Sequence, residues 1–493
     1  MTNKISNDKK TLIIKIGSQL VGFWLSVSKI LITDYNVIIA TDSYTKNKIE
    51  YIAKHHKVYD KIEIVEDLYK ELVKDTLDSL DIIKESFDRE KRYGKTFSLI
   101  ISSDRTLGKG YNYNADKHPE VTKSWWTHEK KLGEILKLFL LWEHIQEKYK
   151  PALILEHVHS DVLGLISQYN GIMHLSLRMT KFGSYYMWIN NVYNQNFHLI
   201  EQVKENAKKF YSYNDVSNVN YVQEHSSKYR HAQISYKTFG AIKRAISLFP
   251  GEFIRLITRY HKKNQVYKFL GWYGNIFYKV YIYKYFKKHG KRPEDLTNYD
   301  FVYVPLHMEP ERALAGFSPE FNNSMEMIAW ISKCLPADTL LVIKEQPHSY
   351  GIRSKHYYDN FRRIGNVVLA YPETSSWEWI KNSNLVATIT GTAGIEAVYS
   401  KKPVISFGKY QLINHLPTVR YASNYETTKE AIKELMNLKE NDSLFNVSMG
   451  ALQHALMSIS FELPGIEKIY GSRELHMDLA EVAVRSIKEQ YNL

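Results

Sequence analysis

Short apolar runs alternate with segments of helical periodicity over most of the chain. Residues 11–16 and 36–40 are β-branched runs of strand length, 20–31 repeats apolar residues at helical spacing between them, and 62–65 is a short third strand. A long helix is predicted over 67–87, where Leu68, Leu72, Val73, Leu77, Leu80 and Ile83 share a face. The apolar run 97–101 reads as a strand, 126–149 as a helix, 152–155 as a strand and 161–168 as a helix. This alternation predicts a parallel sheet with helices on both faces. Ligands of such sheets sit beyond the carboxyl ends of the strands, where Asp104, Arg105, Glu156, His157 and His159 fall.

The pattern lapses over 176–300 and returns after it. Strands are predicted at 301–304, 340–343, 367–369, 385–389 and 404–407, with helices over 322–334, 355–363 and 376–382 and another beginning at Gly394. Three more helices follow near 427–438, 443–458 and 474–489. The expected organisation is a Rossmann-like domain over 1–175, an irregular insertion or linker over 176–300, a second Rossmann-like domain over 301–470 and a terminal helix over 471–493, with a ligand cleft between the two α/β domains. Residues 12–32 are apolar enough to suggest a signal or membrane segment. Lys15, Gln19 and Lys29 interrupt them and no small-residue cleavage pattern follows, so strand plus helix is the better reading.

Charge narrows the partners. The 493 residues carry a formal net charge of +13, which favours anionic ligands or surfaces. The single cysteine, Cys334, excludes an internal disulfide framework and a multi-cysteine zinc site and suits a cytoplasmic setting. Between Arg255 and Arg292 there are 11 Lys or Arg and no acid, interleaved with Phe269, Trp272, Phe277, Tyr278, Tyr281 and Tyr285. That stretch suits an anionic membrane surface, at which the protein would sit peripherally on the inner face. The same composition also fits a basic helix packing its aromatics on the core, or stacking on single-stranded nucleic acid, the least favoured of the three.

Three predicted strand ends of the second domain carry polar groups: Pro305-Leu306-His307-Met308-Glu309-Pro310-Glu311, Lys344-Glu345-Gln346-Pro347-His348, and the turn Thr390-Gly391-Thr392-Ala393-Gly394. Lys344 supplies charge, Gln346 and the hydroxyls of Thr390 and Thr392 supply donors, and small residues at a helix start let backbone N–H groups approach a phosphate. Glu396 and Glu311 are acceptors suited to sugar or ribose hydroxyls, and His307 lies at the same edge. A tight strand–helix turn without a ligand would read the same way. In the first domain Glu156 and Asp104 are the acid, base or nucleophile candidates, followed by His157 and His159; Asp161 is explained as a first-turn carboxylate of the next helix. Structural caps or salt bridges would account equally for Glu156. Metal chemistry lacks support, because no Asp-x-Asp pair occurs and Glu156-His157-Val158-His159 has no third ligand in view. No P-loop or nucleophile elbow is present.

Residues 301–420 resemble the capsule polysaccharide biosynthesis family, which includes bacterial Kdo transferases. The resemblance lies in Pro305-Leu306-His307, Glu309-Pro310-Glu311, Lys344-Glu345-Gln346-Pro347, Gly391-Thr392-Ala393-Gly394-Ile395-Glu396-Ala397 and Lys402-Pro403-Val404-Ile405. Gln346 stands where the family has histidine and Glu309 where it has glutamine. The resemblance implies a GT-B-like α/β fold, two Rossmann-like domains with parallel sheets facing a central cleft. It also implies a metal-independent glycosyltransferase without a cofactor. A nucleotide-sugar donor would sit on the second domain, and a glycan or lipid-linked acceptor would approach from the first. Transfer of polyol phosphate from a CDP-linked donor, as in teichoic acids, and a non-catalytic role in polysaccharide assembly are the alternatives.

Overall fold

A computed structural model of the chain describes residues 9–68, 81–104, 106–108, 126–180, 184–193, 195–209, 238–258, 265–309, 314, 316, 318–321, 323–438 and 443–492. In chain order its main elements are β1 (Thr11–Ile16), α1 (Val21–Leu31), β2 (Asn36–Thr41), α2 (Ser43–Ala53), β3 (Lys61–Ile64), α3 (Ile82–Tyr93), α4 (Phe97–Ser103), α5 (His128–Tyr149), β4 (Leu153–Glu156), α6 (Asp161–Tyr169), β5 (Met173–Met179) and β6 (Tyr185–Ile189). They continue with α7 (Phe197–Lys209), α8 (Thr238–Thr258), α9 (Gln265–His289), β7 (Asp300–Pro305), α10 (Met325–Cys334), β8 (Thr339–Lys344), α11 (Lys355–Arg362), β9 (Val367–Leu369), α12 (Ser376–Asn382), β10 (Leu385–Thr388) and α13 (Ala393–Tyr399). The last are β11 (Val404–Ser406), β12 (Val419–Tyr421), α14 (Tyr425–Leu435), α15 (Ser443–Ile459), β13 (Phe461–Glu462) and α16 (Met477–Tyr491). The chain forms two compact units, one of residues 1–100, 127–202 and 453–493, the other of 101–126 and 203–452.

The first unit is built on a sheet ordered β13-β6-β5-β4-β1-β2-β3. Strands β1 to β5 run parallel, but β6 pairs antiparallel with β5 and β13 antiparallel with β6. The sheet is therefore mixed where a parallel one was expected. Strands β5 and β6 also draw in residues assigned to an irregular segment after 175. Their aromatic side chains are core: Tyr186 and Trp188 are fully buried. Helix α1 is apolar nearly all round, with Phe23, Trp24, Leu25 and Val27 buried, as befits a helix enclosed by its neighbours. The carboxyl-terminal segment returns to this unit rather than standing apart. Its closest approach is at Gly22, where an added Cβ would lie 1.8 Å from the carbonyl oxygen of Glu474.

Two predicted elements change type or extent. Residues 97–101, expected as a strand, open helix α4. Phe97, Ile100 and Ile101 satisfy helical spacing as well as a strand's apolar run, and periodicity alone does not separate the two. The helix start is held by Glu90, whose carboxylate accepts from the Phe97 N–H, and by Thr96, whose hydroxyl accepts from the Leu99 N–H. The single helix expected over 67–87 does not persist either. Asp81 has extended backbone (φ −71°, ψ 94°), and its carboxylate accepts from the Lys84 N–H at 3.1 Å to start α3.

The second unit carries an all-parallel sheet ordered β12-β11-β10-β7-β8-β9. Read from β9, the strand order is 3-2-1-4-5-6, the doubly wound Rossmann arrangement. The first unit shows 3-2-1-4-5 across its parallel part. Two Rossmann-like α/β units of this kind make the fold GT-B-like. In the second unit the strands are buried on both faces, and α9 adds Ile282, Tyr283 and Phe286 to the same core as Val302, Val304 and Ile343. Among the described residues, no helix is long and apolar enough to cross a membrane.

Gly22→Ala is expected to destabilise the first unit by about 1–3 kcal/mol, because the new methyl meets backbone that cannot yield cheaply. Gly17→Ala, at a position with nothing within 4 Å, is its control. Equal urea midpoints for the two variants would contradict the seating of the terminal segment on α1.

Candidate functional site

In the second sheet the chain reverses its winding between β7 and β10, the place at which ligands of doubly wound sheets bind beyond the carboxyl edge. His307, two residues beyond β7, reaches across to β10. Its Nε2 accepts from the Ile389 N–H at 3.1 Å and lies 3.4 Å from the Thr388 hydroxyl. Thr388 in turn accepts from the Gly391 N–H at 3.0 Å. Accepting at Nε2 requires the neutral ring protonated at Nδ1. Burial, reinforced by the nearby Arg353 charge, pushes its pKa down to about 4. A Cβ on Gly391 would lie 2.7 Å from the Thr388 hydroxyl and 3.1 Å from His307 Cε1, so glycine is demanded here by packing. Gly394 is held likewise, its missing Cβ being 2.5 Å from Ile413 Cδ1. Thr390, Gly391, Thr392 and Glu396 remain half-exposed at the edge.

The loops after β7 and β8 are joined by Arg353, a residue without sequence signal. Its guanidinium is fully buried, 3.2 Å from Glu309, and it also donates to Glu345 and to the His307 carbonyl. Glu309 accepts from the Ser324 N–H (2.9 Å) and hydroxyl (3.0 Å), and Tyr358 donates to Glu345 at 2.6 Å. Burial, with the second carboxylate adding to it and Arg353 opposing it, raises the Glu309 pKa. Lys344, the last residue of β8, is buried with its Nζ 3.4 Å from the Pro372 carbonyl, whereas Gln346 two residues on is exposed. His307, Lys344, Gln346 and the Gly391 turn thus share one sheet edge. Glu311 lies outside the described residues.

The equivalent reversal in the first sheet falls between β1 and β4, and Glu156 is the last residue of β4. Its buried carboxylate receives Lys15 Nζ at 3.0 Å, the Ser160 N–H at 2.5 Å and the Ser160 hydroxyl at 2.8 Å, and His174 Nε2 is 2.9 Å away. Burial acts to raise its pKa, but Lys15, His174 and His159 outweigh that and hold it well below the usual carboxylate range. His159 stacks on His174 with ring centroids 4.3 Å apart, and its Nδ1 is 2.8 Å from the Ser176 hydroxyl. The third ligand type missing from the sequence is therefore His174. Ligand atoms of Glu156, His159 and His174 all lie within 4.8 Å of one another, a donor set of suitable chemistry for a transition-metal ion. Lys15 on the same carboxylate already supplies the compensating positive charge. Both histidines line a cavity of about 420 Å³ with Gln168, Asn190, Asn191 and Tyr491.

Other predicted residues fall elsewhere. His157, beside Glu156 in sequence, is half-buried, and burial together with Arg178 lowers its pKa. Asp104 follows a helix rather than a strand; it is exposed and accepts from the Thr106 and Leu107 N–H groups at 2.7 Å each. Arg105 lies outside the described residues. Within 255–292, Tyr278 is half-buried and Tyr285 is buried, while Phe277 and Tyr281 stay exposed.

A family profile described as "Capsule polysaccharide biosynthesis protein" matches residues 253–413. No curated protein sequence matches the chain. Among solved structures, the UDP-GlcNAc 2-epimerase of Methanocaldococcus jannaschii is 11% identical, covering 91% of this chain and 99% of its own at a TM-score of 0.26. KpsC of Thermosulfurimonas dismutans, a beta Kdo 2,7 transferase, is 13% identical, covering 63% and 79% at 0.32. Anabaena Alr3699/HepE in complex with UDP-glucose is 9% identical, covering 97% and 100% at 0.32. Likenesses this distant carry no inference about activity.

The His307 geometry predicts a pH dependence. Unfolded, the histidine takes a proton below about pH 6.5; folded, it resists until about pH 4. Stability is therefore full above the unfolded value and falls as pH drops between the two, by about 3 kcal/mol in all. His307→Gln, which keeps an acceptor for the Ile389 N–H, should flatten this part of a urea-unfolding pH series. Parallel slopes in variant and wild type would refute the buried neutral ring.

Proposed function

We propose that the protein is a glycosyltransferase of capsule- or lipopolysaccharide-type surface polysaccharide assembly, moving a sugar from a nucleotide-activated donor to a glycan or glycolipid acceptor. Kdo or a related acidic sugar is the favoured cargo, and the cytoplasm, where such donors are made, is the favoured setting. The observation that carries this reading is the convergence of His307, Gln346 and the Gly391 turn on one carboxyl edge of a doubly wound sheet, inside the stretch matched by the capsule family profile. Lys344, Gln346, Thr390, Gly391, Thr392 and Gly394 serve the donor phosphates, and Glu396 and Glu311 the donor hydroxyls. His307 holds the turn in place.

On the acceptor side the candidates divide by chemistry. Glu156 is ionised and fully engaged, so it is a weak proton acceptor; its charge is suited to steadying positive character near an anomeric carbon. His157, kept neutral, and Asp104, exposed, are the groups able to take a proton from an acceptor hydroxyl. Nothing in these roles calls for a metal.

Calorimetric titration with CMP, UDP, GDP and CDP is expected to find one nucleotide that binds, with Lys344→Ala weakening it by about tenfold or more. No binding at millimolar nucleotide would overturn the donor assignment. Glu156→Gln should slow donor hydrolysis, followed as nucleotide release, by about 100-fold at unchanged nucleotide affinity. Wild-type hydrolysis in that variant would remove Glu156 from the reaction.

A further inference from the structure

The exposed apolar side chains of the second unit gather on α8, mostly ahead of the basic stretch. Ile242, Ile246, Phe249, Phe253 and Ile257 are 43%, 67%, 48%, 42% and 61% exposed. Their spacing of four, three, four and four residues puts them in one stripe about 22 Å long. A soluble helix normally turns such a stripe inward. Here the inward seam is a different one: Ala241 and Ala245 pack with Ile276 and Val280 of α9.

That seam pairs the start of α8 with the second half of α9, so the two helices form an antiparallel hairpin. In such a hairpin the residues one step beyond each seam position fall on the same side. Ile242 and Ile246 are those residues on α8; Phe277 and Tyr281, 51% and 47% exposed, are those on α9. Lys284 and Lys288 continue this face of α9 and are exposed. The hairpin is anchored, since Ile282 and Phe286 are buried in the core and the Tyr285 hydroxyl donates to Asp359 at 2.6 Å. It presents its outer side on a firm base.

We propose that this side of the α8–α9 hairpin docks on an anionic phospholipid surface, the isoleucine and phenylalanine stripe entering the headgroup boundary and Lys284 and Lys288 meeting lipid phosphate. Charge decides for lipid over a second copy of the chain. Residues 238–292 carry 13 Lys or Arg against a single acid, Glu252, so two such faces repel, whereas anionic headgroups attract them. Three of the five stripe residues are isoleucines, which offer no ring for bases to stack on, and this favours lipid over nucleic acid. The proposal is independent of the transferase reading, because it concerns none of the residues assigned to the donor or the acceptor.

The test is co-sedimentation of the full chain with vesicles of phosphatidylcholine alone and of phosphatidylcholine with phosphatidylglycerol. Binding is expected only to the anionic vesicles. Ile246→Asp with Phe253→Asp, and separately Lys284→Glu with Lys288→Glu, should each weaken it by about tenfold or more while circular dichroism stays unchanged. Equal binding to both vesicle types, no binding, or apolar-stripe variants that bind like wild type would overturn the proposal. So would a dimer, seen by light scattering, that Ile246→Asp dissociates, since the stripe would then belong to a second copy.

Discussion

One buried guanidinium holds the carboxyl edge of the second sheet together. Arg353 comes from the loop after β8, binds Glu345 of that loop and Glu309 of the loop after β7, and donates to the His307 carbonyl. The His307 ring then carries the constraint to the backbone beyond β10. Taking a cation and two carboxylates out of water costs several kcal/mol per ion, and their attraction does little more than offset it. Such a cluster contributes little net stability, yet losing any one member strands the others at about 3–5 kcal/mol. What it secures is geometry: loops that leave diverging strands have no hydrogen-bond ladder of their own, and this cluster gives them a fixed spacing.

The first sheet solves the same problem with the charges exchanged. There a carboxylate, Glu156, sits at the reversal, and Lys15, His174 and Ser160 converge on it from β1, β5 and the loop after β4. In both units, then, a buried charged residue at the carboxyl edge is already satisfied by protein groups. The side chains around it that keep solvent access are Gln346, Thr390 and Thr392 in one unit and His157 in the other. A buried charge with every lone pair occupied is a poor proton acceptor but a stable source of field.

Much of the second sheet was legible in the sequence because parallel strands covered on both faces leave continuous apolar runs, and 301–304, 340–343, 367–369 and 404–407 are such runs. Long-range pairing leaves no such trace. Lys15 meets Glu156 across 141 residues, and Arg353 meets Glu309 across 44; neither spacing has a period that a linear reading can detect. The strand β13 is two residues long, below any pattern threshold, yet it marks the return of the carboxyl terminus to the first unit. At 97–101 a run compatible with both periods was decided by a capping glutamate and threonine outside the run itself.

The glycine turn shows how a motif and its physical cause come apart. Gly391 and Gly394 looked like residues kept small for a phosphate, but their missing Cβ atoms are accounted for by His307, Thr388 and Ile413. The glycines therefore supply no independent argument for a ligand. What remains is placement: a half-exposed turn with two threonine hydroxyls, at a topological reversal, pinned by a neutral histidine that spends its acceptor on the backbone. A residue type constrained by packing can still sit where a ligand binds, because the packing is what keeps the neighbouring hydroxyls in register.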